Sequence, residues 1–468
     1  MSDLTIIFGM TFGYIILTTL VGVWSIKYAK DTTSFMTARS LMGPFIVGIL
    51  MMSEFIGTGS TMGTAQAGFT KGISAAWNVL TLGLGYLLYA FFMAPRFNAL
   101  GEYTISGALA KKYGKALKMV VSLVMIYALT TVNVSMYTGG AATIATLLGI
   151  SIPTAVYIIG VASILTVSIG GLRGVGISNL IHAGVKYLGL IILTFVAWNL
   201  LRENPGALAK LPAAHFSLTG IGVSTLIAWT VANIGAVFST QYVIQCISSL
   251  SNEKEARKAS IVASISIAPI GIFAAFIGLS ARALFPDIKS ITAMPAFLKV
   301  MNPWEAGIVT CSIVAAAFVS IMACKLGATA LFMKDFYIPL LKPSEKHQLM
   351  ATRITAVLIG ILPIPFALYV PGLLKTIFFA RALRTAVAVI AVFMFYLPRV
   401  GSSTSAVVGL LCAFVGTTAW FIAGDPWGID NIYIALAIPT VSMIVDRLIR
   451  GPAGPGKSEE LPDFKAAR

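Results

Sequence analysis

Apolar stretches of about 20 residues, separated by short polar joints, recur along the whole 468-residue chain. A helix needs about 20 mainly apolar residues to cross a bilayer. Windows of that size predict spanning helices near 4–26, 43–70, 73–97, 117–148, 152–170, 178–200, 221–248, 258–284, 305–335, 349–371, 376–397, 401–423 and 431–449. The pattern predicts an all-α integral membrane protein with about 13 transmembrane helices in a single domain over 1–450. The joint around 101–115 is amphipathic and predicts a short interfacial helix. The polar, Pro/Gly-rich segment 451–468 reads as a disordered cytoplasmic tail. Met1-Ser2-Asp3-Leu4 lacks the basic region of a cleaved signal peptide, so the first apolar run is expected to persist as a helix.

Composition fits the same picture. The chain is 57% apolar and 11% charged, against about 45–50% and about 25% for soluble domains. Lipid must therefore be its solvent. The net charge of +16 is read as topology rather than as affinity for nucleic acid. With the N-terminus outside, 22 of the 33 Lys and Arg fall in inner loops, 7 in outer loops and 4 inside helices. That asymmetry predicts an outside N-terminus and a cytoplasmic C-terminus, in what reads as a bacterial inner membrane. Cys246, Cys311, Cys324 and Cys412 sit in apolar segments without a CxxC pair, which argues against a disulfide framework or a zinc site.

Enzyme chemistry finds no support. Only His182, His215 and His347 occur, and HExxH and GxSxG are absent; the one match to the phosphate-binding GxxxxGK[ST], residues 451–458, falls in the Pro/Gly-rich segment 451–468 rather than between a strand and a helix. No cofactor is expected. Two function classes stand open: a secondary transporter for a small solute, or a transporter-fold sensor that signals through a partner. The expected partners are that solute and membrane lipid, with the protein a monomer or loose oligomer.

Two helices carry polar interruptions. The second holds Ser53-Glu54-Phe55-Ile56-Gly57-Thr58-Gly59-Ser60 near its middle. Glycine and a buried acid are both costly there. Together they predict an unwound helix lining a polar cavity; the competing reading is a close-packing GxG contact with Glu54 paired to a neighbour. The seventh shows Trp229-Thr230-Val231-Ala232-Asn233-Ile234-Gly235 and then Ser239-Thr240-Gln241. Interrupted helices at matching places in two halves point to an inverted repeat with its binding site between them.

At 170–187 the chain reads GGLRGVGISNLIHAGVKY. This resembles the sodium/solute symporter family, which has GG-L-x-A-V-x-x-T-D-x-x-Q at this helix entry. Tyr103-Thr104-Ile105 through Lys112-Tyr113-Gly114 is similar to the family's T-I-P-E-F-x-x-x-R-Y-G loop. Gln241 to Gln245, then Lys254-Glu255-Ala256-Arg257, resembles its Q-x-x-x-Q and K-E-A-R. Ala315 to Ser320 resembles its A-A-A-I-V-S-S, and Phe395 to Gly409 its G-L-F-W-K-R segment. The resemblance implies a five-plus-five inverted repeat with one extra N-terminal and two extra C-terminal helices. It places the first repeat at about 43–200 and the second at about 221–397, and it implies alternating access coupled to a cation.

The resemblance also implies a sodium site formed by the carbonyls of Val47 and Leu50 with Ala317, Ser320 and Ile321. Here the sequence departs from the family. Ile321 stands where a second serine is usual, and Cys324 precedes Lys325 where another serine is common. Asn179 replaces the acid of the T-D pair, and His182 replaces the glutamine. Sodium needs a shell of oxygen ligands, whereas a buried lysine can stand in for a cation or trade its proton. Lys325, Lys186, Asn179 and His182 are therefore candidates for a cation substitute or proton carrier, the last three lying on one helix face at i, i+3 and i+7. The coupling ion reads as sodium or a proton, with uncoupled transport also open. Ser53, Glu54, Gly57, Gln241, Arg381 and Arg384 are the candidate solute contacts. Two guanidiniums at i and i+3 could clamp a carboxylate or another organic anion; the competing readings have them reaching the headgroups or pairing with Glu54.

Overall fold

The computed structural model describes residues 3–24, 43–167, 171–368 and 372–452. Parts of three expected helices (25–26, 168–170 and 369–371) and the tail from 453 lie outside these residues. The chain forms α1 (Asp3–Trp24), α2 (Pro44–Phe55), α3 (Thr58–Lys71), α4 (Trp77–Phe92), α5 (Ala94–Leu100), α6 (Ile105–Leu148), α7 (Ile152–Val167), α8 (Gly171–Glu203) and α9 (Val223–Ser239). It continues with α10 (Gln241–Ile247), α11 (Glu253–Leu284), α12 (Pro303–Phe332), α13 (Ile338–Leu341), α14 (Glu345–Ile361), α15 (Pro363–Ala367), α16 (Leu373–Tyr396), α17 (Ser403–Ile422) and α18 (Asn431–Arg450).

Ten helices among the described residues are long and apolar enough to cross a membrane, or eleven if the bent pair α9–α10 counts as one span. The expected count of 13 is not reached by this measure. The stretch 58–92 passes as one unit although it takes in parts of two expected helices, and Pro44–Phe55 and Ile152–Val161 are too short alone. The expected interfacial segment is continuous with α6, bent at Gly114, whose φ of 81° glycine adopts without a Cβ penalty.

Burial sorts the helices into layers. The spanning windows of α12 and α16 are 94% buried, whereas those of α1 and α18 are 22% buried. An all-round apolar helix such as α12 belongs inside the bundle. The outer helices present Phe12, Leu20, Val415 and Ile422 outward, the pattern of a lipid-facing shell. Close packing is set by small residues, as in membrane helices generally. A Cβ on Gly278 of α11 would lie 2.1 Å from the Ala65 carbonyl oxygen of α3, and one on Gly68 would lie 2.6 Å from that of Ala275.

The break in the second expected helix is real. α2 ends at Ile56 (φ −98°, ψ 62°), and Gly57 is extended before α3 starts. α3 is rich in hydroxyls that return to its own backbone: Thr61 donates to the Gly57 carbonyl at 3.1 Å and Thr64 to that of Ser60 at 2.6 Å. The second interruption falls in the latter part of its polar run, Ser239-Thr240-Gln241. Residues 229–235 stay helical, and the chain breaks at Thr240 (φ −62°, ψ 126°) with a 47° bend.

Candidate functional site

Both breaks meet α16 at Arg384. The Nη1 of Arg384 lies 3.0 Å from Glu54 Oε1 in the last turn of α2 and donates to Thr240 Oγ1 at the second break, at 2.8 Å. Ser239 fixes the register by donating to the Arg384 carbonyl at 2.7 Å. Gly235 lets α9 approach, because a Cβ there would lie 2.2 Å from Thr385 Oγ1. The pair is shut off from solvent, with side chains 2% and 1% exposed. Arg384 therefore pairs with Glu54 and does not reach a headgroup layer.

One turn earlier, Arg381 donates from Nη1 to Asn78 Oδ1 at 2.8 Å and from Nη2 to Ser60 Oγ at 3.4 Å. Asn78 passes the network on, donating to Thr64 Oγ1 at 2.8 Å, while its carbonyl accepts from Asn233 Nδ2 at 2.8 Å. Each guanidinium also lies over a ring: Arg381 over Phe378 at 4.7 Å and Arg384 over Phe55 at 5.7 Å. This polar layer joins α2, α3, α4, α9 and α16 at the level of both breaks. Asn78 carries no motif and sits in an apolar run, so only the fold reveals it.

The candidate cation residues gather on the other side of the first break. Lys186 of α8 is fully buried and donates from Nζ to the Ile56 carbonyl at 3.0 Å. Ser320 of α12 donates to the carbonyls of Glu54 at 2.8 Å and Ser53 at 3.3 Å. Ser312 holds α8 against α12 by donating to the Lys186 carbonyl at 3.1 Å. Val47, Leu50, Ala317 and Ile321 are all buried, and Ile321 brings no side-chain oxygen. Three carbonyls at this break, those of Ser53, Glu54 and Ile56, thus accept from a hydroxyl and an ammonium. Lys325 is buried one turn further along α12, next to buried Cys324.

His182 and Asn179 share the buried face of α8 with Lys186, but His182 turns to α1, where its Nδ1 meets the Tyr14 hydroxyl. The amide of Asn179 has no hydrogen-bond partner among the described residues. Gln241 does not join the solute candidates. Its Oε1 accepts from the Ile105 amide at 2.9 Å and its Nε2 donates to the Tyr103 carbonyl at 2.9 Å, closing the Lys-rich end of the bundle.

That end carries a second polar network. The turn after α12 is a π-helix, Met333–Tyr337, a local widening found often at functional sites. It places buried Asp335 2.9 Å from Lys118 Nζ, with Ser106 and Ser122 donating to its other oxygen. Next to it, Lys334 and Glu102 pair at 2.5 Å.

A sodium:solute symporter family model matches residues 35–412. The chain is 24% identical to the uncharacterized symporter YwcA of Bacillus subtilis, over 92% of this chain and 90% of that protein. It is 24% identical to the sodium/pantothenate symporter of Escherichia coli, over 69% of this chain and 70% of that protein. Among solved structures it is similar to the substrate-bound, outward-open state of a Na+-coupled sialic acid symporter, with a TM-score of 0.78 and 19% identity over 96% of this chain and 99% of that one. At this identity the likeness shows a shared fold. The matched span covers most of the chain, and the chain belongs to the sodium:solute symporter family.

Proposed function

We propose that this protein carries a small organic solute by alternating access, and that the ammonium of Lys186 stands where a coupling sodium would otherwise be held. The observation that carries this reading is the 3.0 Å bond from Lys186 Nζ to the Ile56 carbonyl at the first break. A freed carbonyl at a helix break is a ready cation ligand. Here a tethered cation satisfies it, while Ser320 ties the preceding carbonyls to α12.

On this reading the charge on Lys186 does the work of the bound ion. Protonated, it holds the α2–α3 break against α8. Deprotonated, it releases the carbonyl and lets the break move, so the coupling ion is the proton on Nζ. The solute sits in the layer of Glu54, Arg381 and Arg384, between the two breaks. The Asp335 and Gln241 networks close the cytoplasmic face, consistent with the Lys/Arg asymmetry that puts the N-terminus outside. The relatives named for pantothenate and sialic acid move organic acids, which supports an organic solute here.

The test is uptake into proteoliposomes with sodium replaced by choline, with and without an inward proton gradient. Uptake that persists in choline and rises with the gradient supports the reading, and strict sodium dependence sinks it.

A further inference from the structure

Arg384 is only half used. Its Nη1 serves Glu54 and Thr240, while Nε and Nη2 have no hydrogen-bond partner among the described residues, although the residue is 2% exposed. Nε–H and Nη2–H lie on one edge of the planar guanidinium and point the same way, so the unsatisfied donors form a fork. Such a fork matches the two oxygens of a carboxylate. Cys324 also lies within hydrogen-bonding reach of Arg384, but a neutral thiol is a weak acceptor and cannot satisfy two charged donors. Buried donors are nearly always paired in native proteins, so each exception calls for an explanation.

Two more observations bear on the occupant. Glu54 Oε2 is buried and also has no hydrogen-bond partner among the described residues, so the carboxylate beside the fork offers an acceptor. The charges linked at this layer are Arg381, Arg384 and Glu54, and guanidinium stays protonated in proteins. The cluster therefore carries one surplus positive charge, in a place where an uncompensated charge is expensive. A monoanion cancels it. A dianion overshoots, and a zwitterion leaves the surplus in place.

Building on the transport reading above, we propose that the solute is a monocarboxylate bearing a neutral hydrogen-bond donor, its carboxylate bidentate on the Nε/Nη2 edge of Arg384 and its hydroxyl or amide donating to Glu54 Oε2. Arg381, with both terminal nitrogens committed to Asn78 and Ser60, holds the layer in place and is a positioning residue.

The experiment uses the purified full chain. Binding is measured by calorimetry for hydroxy monocarboxylates from glycolate to pantothenate, each paired with its neutral amide, and for inorganic phosphate. At least one acid is expected to bind, and its amide to bind roughly 100-fold more weakly, because the carboxylate charge and one of the two fork bonds are lost. Arg384→Lys keeps the charge but removes the fork, and should weaken the acid by a similar factor. Glu54→Gln leaves the fork intact and should erase the preference for hydroxy acids over their deoxy analogues; the acid–amide comparison on the wild type decides the proposal should either variant fail to fold. Amides that bind as well as their acids, phosphate binding in preference to every acid, or an acid panel with no binder would each overturn the proposal. None of these outcomes touches the transport reading, whose sodium-replacement assay is separate.

Discussion

The Glu54–Arg384 pair gives the sharpest energetic prediction. Glu54→Gln keeps the side-chain shape and removes the charge; Arg384→Met removes the other partner. At 3.0 Å and an effective dielectric of about 20, the Coulomb attraction is about 5.5 kcal/mol. Desolvation offsets much of it, but losing one partner of a buried pair leaves the other charge stranded, at about 3–5 kcal/mol. Glu54→Gln is the worse case, because Arg381 and Arg384 then face each other without an anion. Each single variant should therefore unfold more readily by about 3–5 kcal/mol. The double variant should lie well below the sum of the two, with a coupling of about 2–3 kcal/mol. The assay is chemical unfolding in detergent for the wild type, both singles and the double. Additive losses, or a Glu54→Gln cost below about 1 kcal/mol, would refute the pairing.

Three further outcomes are expected. Asp335→Asn breaks the contact with Lys118 and weakens those of Ser106 and Ser122, which should loosen the Lys-rich end. Of the four cysteines only Cys412 is exposed, so a maleimide should label it alone in the wild type and should reach Cys246 as well in the variant; unchanged labelling would show that the network is no latch. Gly278→Ala drives a Cβ into the Ala65 carbonyl at 2.1 Å and should cost roughly 1–3 kcal/mol by forcing α3 from α11, read as a lower melting temperature; no loss would mean the helices have slack. Combining Lys186→Ala with Ile321→Ser removes the tethered ammonium and restores a hydroxyl, so uptake should gain sodium dependence; a variant indifferent to sodium would show that the ammonium is not the substitute.

Hydropathy made the membrane helices legible, because lipid rewards the same apolar run wherever it occurs. The break at Glu54–Gly57 was legible too, since glycine and an acid in mid-helix both carry a cost that something must offset. The second break falls at only the latter part of the polar run named for it. Thr230 and Asn233 look disruptive, yet Thr230 donates to the Leu226 carbonyl at 2.8 Å and Asn233 to Asn78 and Thr81 on α4. Tertiary partners keep that stretch helical, and sequence does not display them. Thr240, which does break the helix, stands in the second part of the same run. The same limit hid Asn78 and the Asp335 network, whose partners lie more than 200 residues away for Arg381–Asn78, Ser106–Asp335 and Ser122–Asp335. Lys186 was visible as a misplaced charge, but only the fold directs its ammonium to Ile56, and only the fold turns His182 away to Tyr14.

The resident ammonium at the first break is tested most directly by uptake into proteoliposomes of wild type and Lys186→Met, each in sodium and in choline, across a range of external pH. Wild-type uptake is expected to be equal in the two salts and to follow the proton gradient, while Lys186→Met loses the response to that gradient. Uptake that stops in choline, or a Lys186→Met protein that follows the proton gradient as the wild type does, would contradict it.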